Sequence, residues 1–166
     1  CPQGTVGEVC LRSVSVMQGY WRKPEATAQA LRDGLLHTGD MGYLDEDGFL
    51  FIVDRKKDMI ISGGENIYSR EVEEALLMHP AVAEAAVIGI PDEKWGESVL
   101  AAVVLRAGAS ADDAALDAHC RERIAGYKRP RAYRFLPALP RVASTNKVDK
   151  RALRAPYWQG QGRQVS

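Results

Sequence analysis

The chain has only three cysteines in 166 residues, Cys1, Cys10 and Cys120. They are scattered, odd in number and lack CxxC spacing, which argues against a disulfide framework or a cysteine zinc site and suits a reducing cytoplasm. Charge of one sign is also lacking. Lysine plus arginine and aspartate plus glutamate both total 22, so no bulk field draws nucleic acid or an anionic membrane, and any anion site must be local. Long hydrophobic runs are missing. The apolar stretch 99–105 falls far short of the roughly 20 residues that a spanning helix needs, so no membrane span is expected. His37, His79 and His119 show no metal-ligand spacing, so no metal site is expected within the chain. The start, Cys1-Pro2-Gln3-Gly4, has neither an initiating methionine nor a secretory pattern, and reads as a cut inside a longer protein.

What remains is enough for one ordinary domain, or a small domain with part of another attached. Residues 6–12 and 49–53 favour strands, and Asp45-Glu46-Asp47-Gly48 supplies hairpin turn chemistry. Pro24 opens a short helix reaching Leu31. The charged run Asp54-Arg55-Lys56-Lys57-Asp58 reads as a solvated connector, with a boundary near Lys57. Beyond it, 59–62 reads as a strand, Gly63-Gly64 as a turn, and Ser69 as the cap of a helix with Glu71 in its first turn and Val72, Ala75 and Leu76 as its apolar stripe.

Two more strands, 85–90 and 99–105, flank a polar loop at 91–97. Ser110 with Asp113 resembles a capping box, Leu116, Cys120 and Ile124 share one helical face, and Gly126 is a natural stop. A last strand is expected at 132–136. The order β, α, β, β, α, β implies an α+β domain over 57–155 with helices packed on one sheet face, preceded by a mainly β segment over 1–56 and followed by a disordered polar tail over 156–166.

The chemistry-bearing residues come as an ordered series. Gly19-Tyr20-Trp21 with Pro24 and Thr27 is followed by His37-Thr38-Gly39-Asp40, Asp54-Arg55, Ser62-Gly63-Gly64-Glu65-Asn66-Ile67 with Glu71-Val72-Glu73, and Asn146-Lys147. Each short motif is weak alone. The series, over about residues 5–155, closely resembles the later core motifs of adenylate-forming enzymes: acyl-CoA synthetases, nonribosomal adenylation domains and firefly-type luciferases. The resemblance implies the small carboxyl-terminal domain of such an enzyme, joined to the β-rich end of the larger amino-terminal AMP-binding domain. The glycine-rich motif and the hinge are more similar to fatty or aryl acid CoA ligases than to acetate-specific ones, which points to fatty acid metabolism.

By that resemblance Asp40 accepts from the ribose hydroxyls of ATP or AMP, and Arg55 reaches the same nucleotide with a guanidinium fork. Lys57 stands at the hinge, about which the small domain rotates between two half-reactions. Lys147 is the catalytic lysine, a compact cation for charge developing at the α-phosphate and acyl carboxylate. The family pattern is Gly-Lys, and Asn146 stands here in place of glycine as a residue that also accepts a left-handed turn. Lys150 is the nearby competitor. Gly63 and Gly64 line the pantetheine tunnel of CoA, while Trp95, Tyr127, Lys128, Arg129 and Arg131 offer an aromatic surface and cations to CoA's adenine and phosphates. Trp95 and Tyr127 read equally as packing residues. Magnesium is expected to come with ATP, held by its phosphates and by parts outside this sequence.

The implied reaction joins a carboxylic acid to CoA through an acyl-adenylate. The phosphate-cradling loop and acyl pocket of the family are not in this sequence, so the chain alone is expected to be inactive. Two rival readings are an adenylation domain that loads a carrier protein, and a non-catalytic nucleotide-binding or self-associating module. An incomplete β unit at 1–56 has edges that could pair two chains into a homodimer.

Overall fold

A computed structural model describes residues 1–159. Its backbone divides into two compact units, Cys1–Lys57 and the chain from Asp58 onward.

The first unit is built on β3 (Leu35–Leu44), with β1 (Gly7–Leu11) along one edge and β2 (Leu31–Arg32), then β4 (Leu50–Arg55), along the other. Helix α1 (Pro24–Ala30) starts on its proline, whose missing N–H costs nothing in a first turn. The β3–β4 connection closes as its residues suggest. Asp45 Oδ1 accepts from the backbone N–H groups of Asp47 (3.1 Å) and Phe49 (2.8 Å), and Gly48 takes φ +82°. Not foreseen was the length of β3, whose glycines and Asp40 disguise it as a loop.

The second unit contains the expected order with two additions: β5 (Ile60–Ser62), β6 (Glu65–Ile67), α2 (Ser69–Leu77), β7 (Val82–Asp92), β8 (Gly96–Leu105), α3 (Asp113–Arg121), β9 (Ala132–Phe135) and α4 (Lys150–Arg154). Strand β8 is central. It pairs antiparallel with β7 throughout, with β5 at Ser62↔Gly96, and parallel with β9. A parallel pair needs a long crossover, here carried by α3.

β7 and β8 are buried on both faces. Val87, Val99, Ala101 and Val103 pack with Ile60, Ile67, Val72, Leu76, Leu116 and Cys120 under α2 and α3. Their alternating neighbours Ala86, Ile88, Leu100 and Ala102 pack with Leu139 and Leu153 of α4. The expectation of helices on one face is therefore corrected. Burial on both faces also explains why 99–105 reads as an unbroken apolar run.

Other local expectations are revised. Residues 91–97 are mostly ladder, paired Pro91↔Glu97 and Asp92↔Gly96, and the turn shrinks to Glu93-Lys94-Trp95 because Asp92 Oδ1 accepts from Lys94 N (3.0 Å) and Trp95 N (2.9 Å). Ser69 does not cap α2; it lies within the helix, fully buried, with its Oγ accepting from Lys150 Nζ at 2.6 Å. Asp112, not Ser110, caps α3 by accepting from Ala115 N at 2.8 Å. That helix ends at Arg121 rather than running to Gly126, which instead opens a 3-10 turn. Of the tail expected from 156, Tyr157 packs on the α4 cluster and Trp158 Nε1 donates to Gly89 O at 3.0 Å. Residues 160–166 lie outside the described residues.

His79 and His119 meet edge to face, ring centroids 5.0 Å apart, and His79 Nδ1 accepts from Ala81 N at 3.2 Å. Burial, then the nearby His119 and Arg123 charges, hold His79 below its ordinary value of 6.5. The unfolded chain therefore binds a proton below pH 6.5 that the fold resists, so stability should fall as pH drops from 6.5 and be unaffected above it. His79→Gln should lessen that loss in melts at pH 7 and 5.5. Leu116→Ala, which removes a fully buried side chain, should cost about 2–5 kcal/mol by denaturant unfolding, and half-exposed Leu44→Ala under about 1 kcal/mol.

Candidate functional site

Asp40 and Arg55 are directly opposite on β3 and β4, and Arg55 Nε donates to Asp40 Oδ1 at 3.0 Å. Two irregularities converge there. Between His37 and Met41, β3 carries three residues against the single Val9 of β1, and β4 carries one extra residue, Val53, opposite the Met41–Gly42 step. Gly39 takes φ +74° inside the first bulge, while Thr38 Oγ1 donates to Val9 O (2.8 Å) and accepts from Asp40 N (3.1 Å). Bulges re-aim side chains, and this one turns the Thr-Gly-Asp motif into a fixed kink. Asp40 keeps its second oxygen, and Arg55 both terminal nitrogens, clear of this pair. Both side chains are well exposed, an acceptor beside a donor fork, as a ribose with its phosphates would require.

Beneath them is a residue the motif reading missed. Glu8 Oε2 receives His37 Nδ1 (3.2 Å), Lys56 Nζ (3.3 Å) and Arg32 Nη2 (3.4 Å). Burial raises its proton affinity, but the His37 and Lys56 contacts win and hold its carboxyl below the usual value. Cys10 Sγ lies 3.4 Å from the same His37 nitrogen, so Glu8, Cys10 and His37 offer three donor atoms within 4.8 Å of one another. Lys56 and Arg32 already neutralise the carboxylate, which leaves little field for a divalent cation. A glutamate alternating with apolar neighbours on a strand gives no sequence signal of this role.

Lys147 lies on a loop closed by the Arg141↔Val148 bridge, with Val142 N donating to Lys147 O at 2.8 Å. Asn146 adopts φ +55°, the left-handed turn asked of it, and Arg141 Nη1 holds its carbonyl at 2.9 Å. The Lys147 side chain is exposed, and its ammonium has no partner among the described residues. Lys150 differs. Its ammonium is inward, 2.7 Å from Glu73 Oε1 and 2.6 Å from Ser69 Oγ, tying α4 to α2. One lysine faces solvent and the other is held by Glu73 and Ser69.

Gly63 and Gly64 form a two-residue hairpin turn between β5 and β6 with φ +61° and +86°, the positive pair that a primed turn demands. Gly63 lies on Trp95: its N–H donates to Trp95 O at 2.8 Å, and a Cβ there would meet Trp95 Cε3 at 2.7 Å. Lys94 and Arg131 also sit over the Trp95 ring, at 4.7 and 5.2 Å from its centroid. Trp95, Gly63 and Arg131 are thus brought together, while Gly64 faces open space.

The other proposed cations are occupied. Lys128 Nζ contacts both oxygens of Glu71 (2.7 and 2.8 Å) and lies over the half-exposed Tyr127 ring; burial disfavours its charge, but Glu71 prevails and raises its pKa. Arg129 Nη1 pairs with Asp117 Oδ1 at 2.6 Å, leaving its buried Nε without a partner among the described residues. Arg129 and Arg131 line one cleft of about 720 Å³ with Asp117, Arg121 and Tyr133.

Residues 71–146 match the family of AMP-binding enzyme C-terminal domains, whose last matched residue directly precedes Lys147. The chain belongs to that family, the adenylate-forming enzymes. It is 56% identical over 147 residues to the long-chain-fatty-acid–CoA ligase of Bacillus subtilis, a match covering 89% of this chain and 26% of that one. It is 46% identical to a fatty acid–[acyl-carrier-protein] ligase of Streptomyces coeruleorubidus over 99% of this chain and 32% of the relative. Among solved structures, the o-succinylbenzoate CoA synthetase of Bacillus subtilis in complex with its acyl-adenylate superposes with TM-score 0.84 and 43% identity, over 100% of this chain and 32% of that one. The chain therefore spans about a quarter to a third of the length of the proteins it matches. No helix among the described residues is long and apolar enough to cross a membrane.

Gly63→Ala should both strain a positive-φ position and collide with Trp95, whereas Gly64→Ala meets only the strain, roughly 1–2 kcal/mol. Comparing the two by thermal melts and near-ultraviolet circular dichroism checks this: Gly63→Ala should be the less stable and should alone alter the tryptophan signal.

Proposed function

We propose that the chain is the carboxyl-terminal part of an ATP-dependent acyl-CoA ligase. In the whole protein a carboxylate oxygen attacks the α-phosphorus of ATP, expelling pyrophosphate and leaving an acyl-adenylate. The thiol of CoA then attacks the acyl carbon and AMP departs. Adenylation replaces a poor leaving group by a good one, and the protein supplies position and charge rather than a covalent intermediate.

Within that scheme Asp40 and Arg55 hold the nucleotide, Lys57 is the pivot, and Lys147 meets the developing charge of the first step. Gly63 and Gly64 border the path of the pantetheine arm. Trp95 serves first as the backing of that turn, since Gly63, Lys94 and Arg131 cover it, and CoA's nucleotide end is met by Tyr127, Lys128, Arg129 and Arg131, of which Lys128 and Arg129 would exchange Glu71 and Asp117 for its phosphates. Magnesium arrives on the ATP phosphates and is held there and by parts beyond these residues.

The observation that carries this reading is the contrast between the two lysines, Lys147 exposed without a partner on a loop preset by Asn146, and Lys150 consumed by Glu73. Residues 1–56 supply the β-rich end of the AMP-binding domain. Support comes from their sheet, which leaves Leu44, Phe49, Leu50, Phe51 and Ile52 well exposed, more apolar surface than a finished layer shows. Neither a phosphate-cradling loop nor an acyl pocket is among these residues, so the chain alone should be inactive, and its open edges favour self-association as a homodimer. Three cysteines without disulfides suit a cytoplasmic setting. A second reading, loading of a carrier protein instead of CoA, is favoured by the carrier-protein ligase among the relatives.

The test is AMP release by the whole protein with ATP, magnesium, a panel of carboxylic acids and either CoA or a carrier protein. CoA-dependent release is expected from the whole protein and none from residues 1–166. Lys147→Ala should lower the adenylation rate about a hundred- to a thousand-fold, while Lys150→Ala should lower thermal stability instead. Adenylate formation that ignores CoA and answers to the carrier protein would move the assignment to the second reading.

A further inference from the structure

The chain passes from the first unit to the second within the 3-10 turn Lys56–Asp58. On one side the last ladder pair is Arg55↔Asp40, and on the other the first is Ile60↔Ile67. The sheets alone would leave residues 56–59 outside any ladder, a span with several free pairs of torsions. Each flank is instead tied down inside its own unit. Lys56 Nζ reaches Glu8 Oε2 of β1 at 3.3 Å, and Glu8 is only 17% exposed. Arg154 Nη2 of α4 donates to Asp58 Oδ1 at 2.8 Å, both side chains 13% exposed. Met59 follows, buried.

We infer that Glu8 and Arg154 are positioning residues that clamp the two flanks of the hinge, so that reorientation of one unit against the other is confined to the backbone of Lys57. This rests on the reading of Lys57 as the pivot. A charged run suits the task for a physical reason. A pivot that must swing cannot be packed in apolar contacts, yet it must not be slack, or the reacting groups on the two units would meet in many arrangements, and misplacement of about 1 Å is costly to rate. Ion pairs restrain each flank without joining the units, because the partner of each cation or anion belongs to its own unit. Burial strengthens the Arg154–Asp58 pair, where loss of one partner leaves a charge unpaired, whereas at the near flank only the Glu8 carboxylate is largely buried and Lys56 is 38% exposed. Arg154 is placed by α4, whose Leu153 packs on the β7–β8 sheet, so the far clamp is fixed by the core itself. Glu8 is placed by β1, and through His37 its carboxylate also touches the base of the Thr-Gly-Asp bulge.

Hydrogen–deuterium exchange on the chain and on three variants tests this, because it reads local opening without needing catalysis. Glu8→Gln should raise exchange at 54–56 about tenfold, with 58–62 unchanged. Arg154→Gln should raise exchange at 58–62 about tenfold, with 54–56 unchanged. A merely structural loss would spread through a whole unit, so the selective response is the signature of a clamp. If Arg154→Gln also loosens β7 and β8, the charge-exchanged variant Asp58→Arg with Arg154→Asp decides: return of protection at 58–62 supports the clamp, and its failure overturns it. Equal loosening on both sides of Lys57 by either single variant, or no change in either, overturns it too. Failure here leaves the ligase assignment untouched, since that is read from AMP release.

Discussion

The β7–β8 ladder is the constraint from which the rest of the second unit follows. Ten paired positions run from Val82↔Leu105 to Asp92↔Gly96, and because both faces are buried the hairpin cannot shift register without exchanging one core for the other. At its tight end the Asp92 turn presents Trp95 to Gly63, so the glycine turn is seated by a residue more than thirty positions away. Along its outer edge β9 runs parallel and carries Arg131 back to the same tryptophan. Its second face receives α4, which brings Lys150 to Glu73 and Arg154 to Asp58.

The first unit solves a different problem, since it must expose charged groups rather than bury apolar ones. Two bulges bend β3 and β4 so that Asp40 and Arg55 stand paired at the kink, and Glu8 supports the kink from β1 through His37. Pairing Asp40 with Arg55 keeps each charge compensated while leaving oxygen and nitrogen positions open to a ligand. The half-buried Glu8 is the costlier ion, and the Lys56 and Arg32 cations and the His37 ring converge on it, which is how a carboxylate below the surface stays ionised.

Much of the fold was legible because local chemistry and tertiary packing agree. Pro24, Asp45-Glu46-Asp47-Gly48 and the Val72-Ala75-Leu76 stripe each do what their residues suggest. Where reading and structure part, packing overrides propensity. Ser69 looks like a cap, but a fully buried position beside Lys150 takes its hydroxyl inward. Ser110 lost to Asp112, whose carboxylate accepts from Ala115 N at the helix start. The loop expected at 91–97 became ladder, because cross-strand pairing outweighs the turn preference of Pro91 and Gly96 at an edge.

The sequence by itself determined the family and most of the order of elements in the second unit, because motif residues and apolar periodicity are local in the chain. It also singled out Asp40, Arg55, Gly63, Gly64 and Lys147 as candidates for the chemistry. Only the tertiary structure decided which charges are free and which are committed. Lys147 and Lys150 differ by three positions and by nothing in composition, yet one faces solvent and the other the partly buried Glu73 carboxylate. The carboxylates beside Lys128 and Arg129, Glu71 and Asp117, are visible only in the fold, and Glu8 and Arg154 give no signal at all until their partners, 48 and 96 residues away, are brought against them. Pairing between distant charges depends on register and on helix placement, and those are fixed by the core rather than by any residue's neighbours in the chain.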